Sequence, residues 1–199
     1  RSTPIKSSAA SDVYKRQGDD NVNSYRIPSL LTTKDGTLLV FCEARRDSWR
    51  DKSRTDIVVK RSEDTGKTWS VMQDLTQGIT GAYMDPTPIL DSITGRIFLF
   101  TTFWPSEDHS GTKNRAILIT SDDNGKTWSS PVDVTSTIIP AGYHIVGFGP
   151  GAGLQMSGKQ FKERLVLPTR VVDSERKSAH NVAIYSCLLY TSPSPRDVE

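Results

Sequence analysis

Short apolar stretches recur along the chain at residues 27–33, 37–43, 56–61, 88–91, 96–103, 116–120, 164–172 and 181–186. They are rich in Val, Ile, Thr and Phe, either alternating with polar residues or continuous over a few positions. Both patterns read as β-strands, the continuous ones as strands buried on two faces. Turn signals separate them: Lys34-Asp35-Gly36, Thr94-Gly95 and Ser157-Gly158. No stretch carries the apolar spacing of a three-turn amphipathic helix. The pattern predicts an all-β chain of short antiparallel strands.

A duplication organises these strands. Residues 62–70 (Ser-Glu-Asp-Thr-Gly-Lys-Thr-Trp-Ser) recur at 121–129 as Ser-Asp-Asp-Asn-Gly-Lys-Thr-Trp-Ser, 59 residues later, with seven of nine positions identical. The local chemistry is that of a tight turn. Asp64 and Asp123 can accept backbone N–H bonds inside it, and Gly66 and Gly125 supply the positive φ it needs. Trp69 and Trp128 then pack where the next strand begins. A unit of about four strands per 59 residues suits a propeller blade; a sandwich would repeat its turns every 8–12 residues or so without so long a repeat.

Composition adds bounds rather than identity. The chain has 199 residues, 24% of them charged and 35% hydrophobic, with two cysteines and a net charge of +2. Two cysteines make neither a disulfide framework nor a cysteine-based zinc site. The longest apolar runs are far shorter than a membrane span. His109, His144 and His180 lack metal-ligand spacing, and residues 147–153 lack the Lys-Ser/Thr that a phosphate loop requires. No cofactor is implied.

The two ends read differently from the rest. Asp12-Val13-Tyr14-Lys15-Arg16-Gln17 can be encoded by a DNA word whose reverse complement, read one base later, encodes Cys187-Leu188-Leu189-Tyr190-Thr191-Ser192. One word thus accounts for both ends in opposite orientations. The expectation is that residues 1–17 and 187–199 are translated sequencing-library adapter, not native sequence, to be left out of fold reasoning. They carry net charges of +3 and −1, so residues 18–186 are neutral and a nucleic-acid partner loses its electrostatic support. Cys42 is the one cysteine between them.

Five motifs in order then carry a resemblance. Tyr25-Arg26-Ile27-Pro28 is followed by Phe41-Cys42-Glu43-Ala44-Arg45, six residues to Asp51, and the first Ser-x-Asp-x-Gly-x-Thr-Trp turn. Met84-Asp85-Pro86-Thr87 and a glycine-rich stretch at 149–155 complete the series. The turn resembles the Asp box found in several propellers, which indicates fold, not function. The whole series resembles exo-α-sialidases. That resemblance implies a partial six-bladed β-propeller with about three blades present, residues 18–186 being the N-terminal part of the catalytic domain. It also implies a secreted or periplasmic setting and sialylated glycans as partners.

A sialic acid carries a carboxylate on its anomeric carbon. The planar fork of arginine suits that group, and the same carboxylate repels an anionic nucleophile; sialidases use a Tyr nucleophile. By resemblance, Arg26 belongs to the arginine triad that grips the carboxylate. Arg45 reaches the ring substituents, with Asp85 beside it. Asp51, in a polar loop between two predicted strands, is the general acid/base; Asp47 lacks the spacing from Arg45. Asp56 reads as structural, and Trp49 and Trp104 as packing residues more than as walls of the pocket. The family's Tyr nucleophile, its Glu partner and the other two arginines match nothing in this chain, so the chain by itself is expected to hydrolyse nothing. The alternatives are a noncatalytic Asp-box propeller that binds protein or glycan, or a trans-sialidase.

Overall fold

The computed structural model describes residues 19–77, 81–106, 110–158, 161–175 and 177–186. The terminal segments assigned to adapter, and His109, lie outside the described residues.

The strands form successive antiparallel meanders. The first blade is β1 (Ser24–Thr32), β2 (Leu38–Arg45), β3 (Thr55–Ser62) and the short β4 (Gln73–Asp74). The second is β5 (Ala82–Leu90), β6 (Ile97–Trp104), β7 (Arg115–Ser121) and β8 (Val132–Asp133). A single parallel pair, Thr55 with Ala82, joins them. One helical turn, α1 (Thr135–Ile138), leads to a third sheet of β9 (Tyr143–Phe148), β10 (Leu154–Gln155), β11 (Leu165–Asp173) and β12 (Ala179–Tyr185). Both β9 and β10 pair with β11, so together they make one interrupted inner strand. No described helix is long and apolar enough to cross a membrane.

Each predicted strand overlaps an observed one and overruns it by at most one residue. Missing from the prediction are β9 and the two-residue strands β4, β8 and β10. These last are too short to carry a period, and β9 is specified by its partner β11 rather than by its own alternation.

The core lies between blades. One cluster joins Leu39, Phe41, Ile57 and Val59 of the first blade to Ile97, Leu99, Ile117 and Ile119 of the second. Another joins Ile89, Phe98, Phe100 and Ala116 to Ile145, Phe148, Leu167 and Ile184 of the third sheet. Alternate residues of β6 enter opposite clusters, which is why residues 97–100 read as a continuous apolar run.

Both duplicated turns sit on the strand-to-strand connection as expected. Asp64 Oδ1 accepts the N–H groups of Lys67 and Thr68 at 3.0 and 2.9 Å, and Asp123 Oδ1 accepts those of Lys126 and Thr127 at 3.0 and 2.8 Å. The hydroxyls of Thr68 and Thr127, each donating to the second carboxylate oxygen at 2.6 Å, hold both carboxyls below the ordinary range together with these N–H bonds, Asp64 at about 2. Trp128 lies edge-on to Phe41 at 5.6 Å, so the second turn packs onto the first blade.

Candidate active site

Each inner strand breaks its register near its start. The β1–β2 register shifts between Arg26 and Ser29, and the β5–β6 register between Met84 and Thr87. In each break one residue before a proline takes a left-handed backbone: Ile27 at φ 51° and Asp85 at φ 57°. For a β-branched residue that conformation costs on the order of 1–3 kcal/mol. The bulges re-aim Arg26 and Asp85 out of the strand alternation. In the third sheet the inner strand is interrupted outright at residues 149–153, again around a proline, Pro150.

Arg26, Arg45 and Asp51 meet at one atom. Asp51 Oδ1 lies 2.7 Å from Arg45 Nη1 and 3.4 Å from Arg26 Nη1. The Asp51 side chain is 67% exposed and that of Arg26 44%, whereas Arg45 is 1% exposed. Asp51 sits at the tip of a closed loop, residues 46–54. The Arg46 N–H donates to Arg54 O at 2.8 Å, and Ser53 Oγ donates to the carbonyls of Ser48 and Arg50 at 3.0 Å. Underneath, the Arg46 guanidinium is anchored by Asp56, at 2.8 Å, and by Asp74. Asp56 is therefore a loop anchor, as its place at the strand start suggested. Asp47 pairs instead with Arg54, at 3.3 Å.

Glu43 went unremarked as a separate candidate in the sequence, yet it is the most buried carboxylate of the site, at 0% exposure. Its Oε2 accepts from Arg45 Nε and Nη2 at 2.9 and 2.7 Å, and its Oε1 accepts the Asp85 N–H at 3.0 Å. The available signal was alternation: Leu39, Phe41, Glu43 and Arg45 share one face of β2, so a carboxylate and a guanidinium continue an apolar row that faces the second blade.

Asp85 stands where that row meets a cleft. The cleft, about 430 Å³, is lined by Asp85, Trp104, Gly147, Phe148, Arg170 and Asn181, among others. Burial pushes the Asp85 carboxyl up to about 7, helped by the Glu43 and Asp51 carboxylates and opposed by Arg45. Gly147 makes room for it: a Cβ there would come 2.8 Å from Asp85 Oδ2. Trp104 lines this cleft, with Lys52 Nζ 4.2 Å above its ring, while Trp49 is 64% exposed rather than packed. Among the described residues, no set of three His, Cys, Asp or Glu side chains gathers as a metal site.

Successive meander blades and turns built on Ser-x-Asp-x-Gly-x-Thr-Trp define part of a β-propeller, with paired arginines and carboxylates gathered at β1, β2 and the loop after β2. The chain belongs to the BNR repeat-like domain family, whose model matches residues 27–196. It is 32% identical over 184 residues to a sialidase of Bacteroides fragilis, covering 81% of this chain and 33% of that protein. It is 32% identical over 187 residues to a sialidase of Paraclostridium sordellii, covering 86% and 44%. Among solved structures it is similar to the Hadza microbial sialidase Hz136, with TM-score 0.79 and 28% identity, covering 89% of this chain and 38% of that one. The chain thus spans a third to under half the length of these relatives. They bear out the resemblance drawn from the motifs and the partial propeller expected from the repeat.

Proposed function

We propose that the protein to which this chain belongs hydrolyses terminal α-linked sialic acids from glycoconjugates. The observation that carries this reading is the convergence of Arg26, Arg45 and Asp51 on one carboxylate oxygen. These residues are 19 and 6 positions apart in sequence and come from two strands and a loop. Arg26 pairs with the substrate carboxylate. Its contact to Asp51 is long and exposed, so an incoming carboxylate can displace it. Asp51, open to solvent at the loop tip, protonates the departing glycosidic oxygen and then activates water. Arg45 and Asp85 hold the ring from one side. The nucleophile, its partner and the remaining arginines belong to the rest of the propeller.

The test is single-turnover kinetics of the complete protein on a sialylated sugar and on an aryl sialoside. General acid help is worth about 10²–10⁴-fold. An activated phenol leaves without it; a sugar does not. Asp51→Ala is expected to slow formation of the glycosyl-enzyme from the sugar substrate within that range and far less from the aryl one. Arg26→Ala is expected to slow both alike. Equal slowing of the two leaving groups by Asp51→Ala overturns the role of Asp51, and a wild-type protein that cleaves neither substrate overturns the activity.

A further inference from the structure

We propose that Glu43 is the positioning residue of the site: one buried carboxylate fixes, from its own strand, the Arg45 guanidinium that meets Asp51 and, from the next blade, the backbone of Asp85, whose side chain lines the adjoining pocket. The inference rests on the proposed reading of that pocket as the glycoside site.

Three observations carry it. First, Glu43 divides its oxygens between different partners. Oε2 takes both Nε and Nη2 of Arg45, and Oε1 takes the N–H of Asp85, 42 residues away. A simple core ion pair has no use for the second oxygen. Second, Arg45 hands the constraint on. With Nε and Nη2 held, its Nη1 meets Trp49 O at 2.6 Å and Asp51 Oδ1 at 2.7 Å, which sets the height of the loop tip. Third, Asp85 is the residue with the left-handed backbone, at φ 57°. Such a conformation persists only where its surroundings over-determine it, and the Glu43 contact is the side-chain bond made to its N–H. A position that needed only volume between two blades would be filled at lower cost by an apolar side chain, since a fully buried carboxylate must be repaid by its partners.

The charged groups around Asp85 come from several elements. Glu43 and Arg45 face it from β2, and Asp51 from the loop. Arg170 shares its cleft from β11, and Arg26 stands opposite Glu43 in the β1–β2 register. Toward β9 it meets Gly147, which carries no charge. After burial, Glu43 is the largest influence that holds the Asp85 proton, so its charge has a readout independent of turnover.

The experiment compares Glu43→Gln and Glu43→Asp in the complete protein. Carbon NMR follows titration of the Asp85 carboxyl, and steady-state kinetics are run well below each variant's thermal transition. Glu43→Gln keeps the shape and loses the charge. The Asp85 midpoint is expected to fall from about 7, and kcat/KM to drop on the order of 10²-fold, the usual consequence of a misplacement near 1 Å. Glu43→Asp keeps the charge but is one methylene too short to span both partners. Its Asp85 midpoint is expected to stay near the wild-type value while kcat/KM falls comparably. A purely structural role would lower the melting temperature of both and leave kcat/KM per folded molecule unchanged; that result overturns the proposal. If Glu43→Gln does not fold, Glu43→Asp decides: a folded protein with wild-type kcat/KM overturns it, and a folded, impaired one supports it. If the wild type cleaves no sialoside, the proposed function fails, while the Asp85 amide resonance in Glu43→Asp still decides the positioning, because it reports the contact to Glu43 Oε1: a shifted or broadened signal supports it and an unchanged one overturns it.

Discussion

Asp85 combines three burdens in one residue: a left-handed backbone, a partly buried carboxyl and two carboxylate neighbours. Its carboxyl is raised from 3.8 to about 7, so the folded state holds a proton there that the unfolded state releases. Stability from this group is fully present below about pH 4, declines as pH rises toward 7 and is lost above it. The change corresponds to roughly 4 kcal/mol at its upper limit. Asn keeps the shape and tolerates positive φ. Asp85→Asn is therefore expected to gain stability relative to wild type progressively between pH 4 and 8, by up to a few kcal/mol in urea denaturation. A difference that stays flat across that range contradicts the burial and charge described for the site. Such a gain alongside lost turnover is the usual trade at a working site. The sequence marked Asp85 through its motif, but neither its backbone nor its partner. Those depend on Glu43, whose place in an apolar row is visible and whose use there is not.

At the level of elements, the two Asp-box turns are one structure in two settings. Gly66 and Gly125 take φ 87° and 75°, and each donates its N–H to a serine Oγ, that of Ser62 or Ser121. A Cβ on Gly66 would make ordinary contact, at 3.7 Å, with Leu38 and Trp69. On Gly125 it would meet the Leu39 side chain at 2.9 Å, and Leu39 is fully buried in the first blade. Gly66→Ala is expected to cost about 1 kcal/mol for the backbone alone. Gly125→Ala should cost a further 1–3 kcal/mol or so for overpacking. Urea midpoints at unchanged slope measure both, and equal losses would contradict the interblade packing of the second turn. The repeat made both turns readable because Asp, Gly and Trp each have a local reason to be there. The packing of Trp128 on Phe41 had no such trace, since it joins residues 87 positions apart. The same holds for β9: Ile145 and Phe148 face the core through their pairing with β11, while His144 and Gly147 disguise the strand.

Across the whole molecule, the second blade is covered on both sides by separate apolar clusters, so stability accumulates interface by interface, as in other arrays of repeats. Ile145 and Ile57 are both fully buried, in different clusters. Truncation of either to Ala is expected to cost about 2–5 kcal/mol. Hydrogen exchange should separate them. Ile145→Ala should release protection in β9, β11 and β12 and spare β2 and β3, and Ile57→Ala should do the reverse. Uniform loss from either substitution would mean that the blades unfold as one unit.

The prolines of the inner strands have a second consequence. Pro28 and Pro86 stand in the first strands of their blades, β1 and β5, and Pro150 in the break between β9 and β10. A strand edge normally offers its unpaired N–H and C=O groups to any passing chain. Proline withdraws an N–H from that offer, and the bulge beside it bends the edge away from a straight partner. The device that re-aims Arg26 and Asp85 therefore also guards these strands against capture of a foreign strand. An extended peptide finds no continuous ladder to join there.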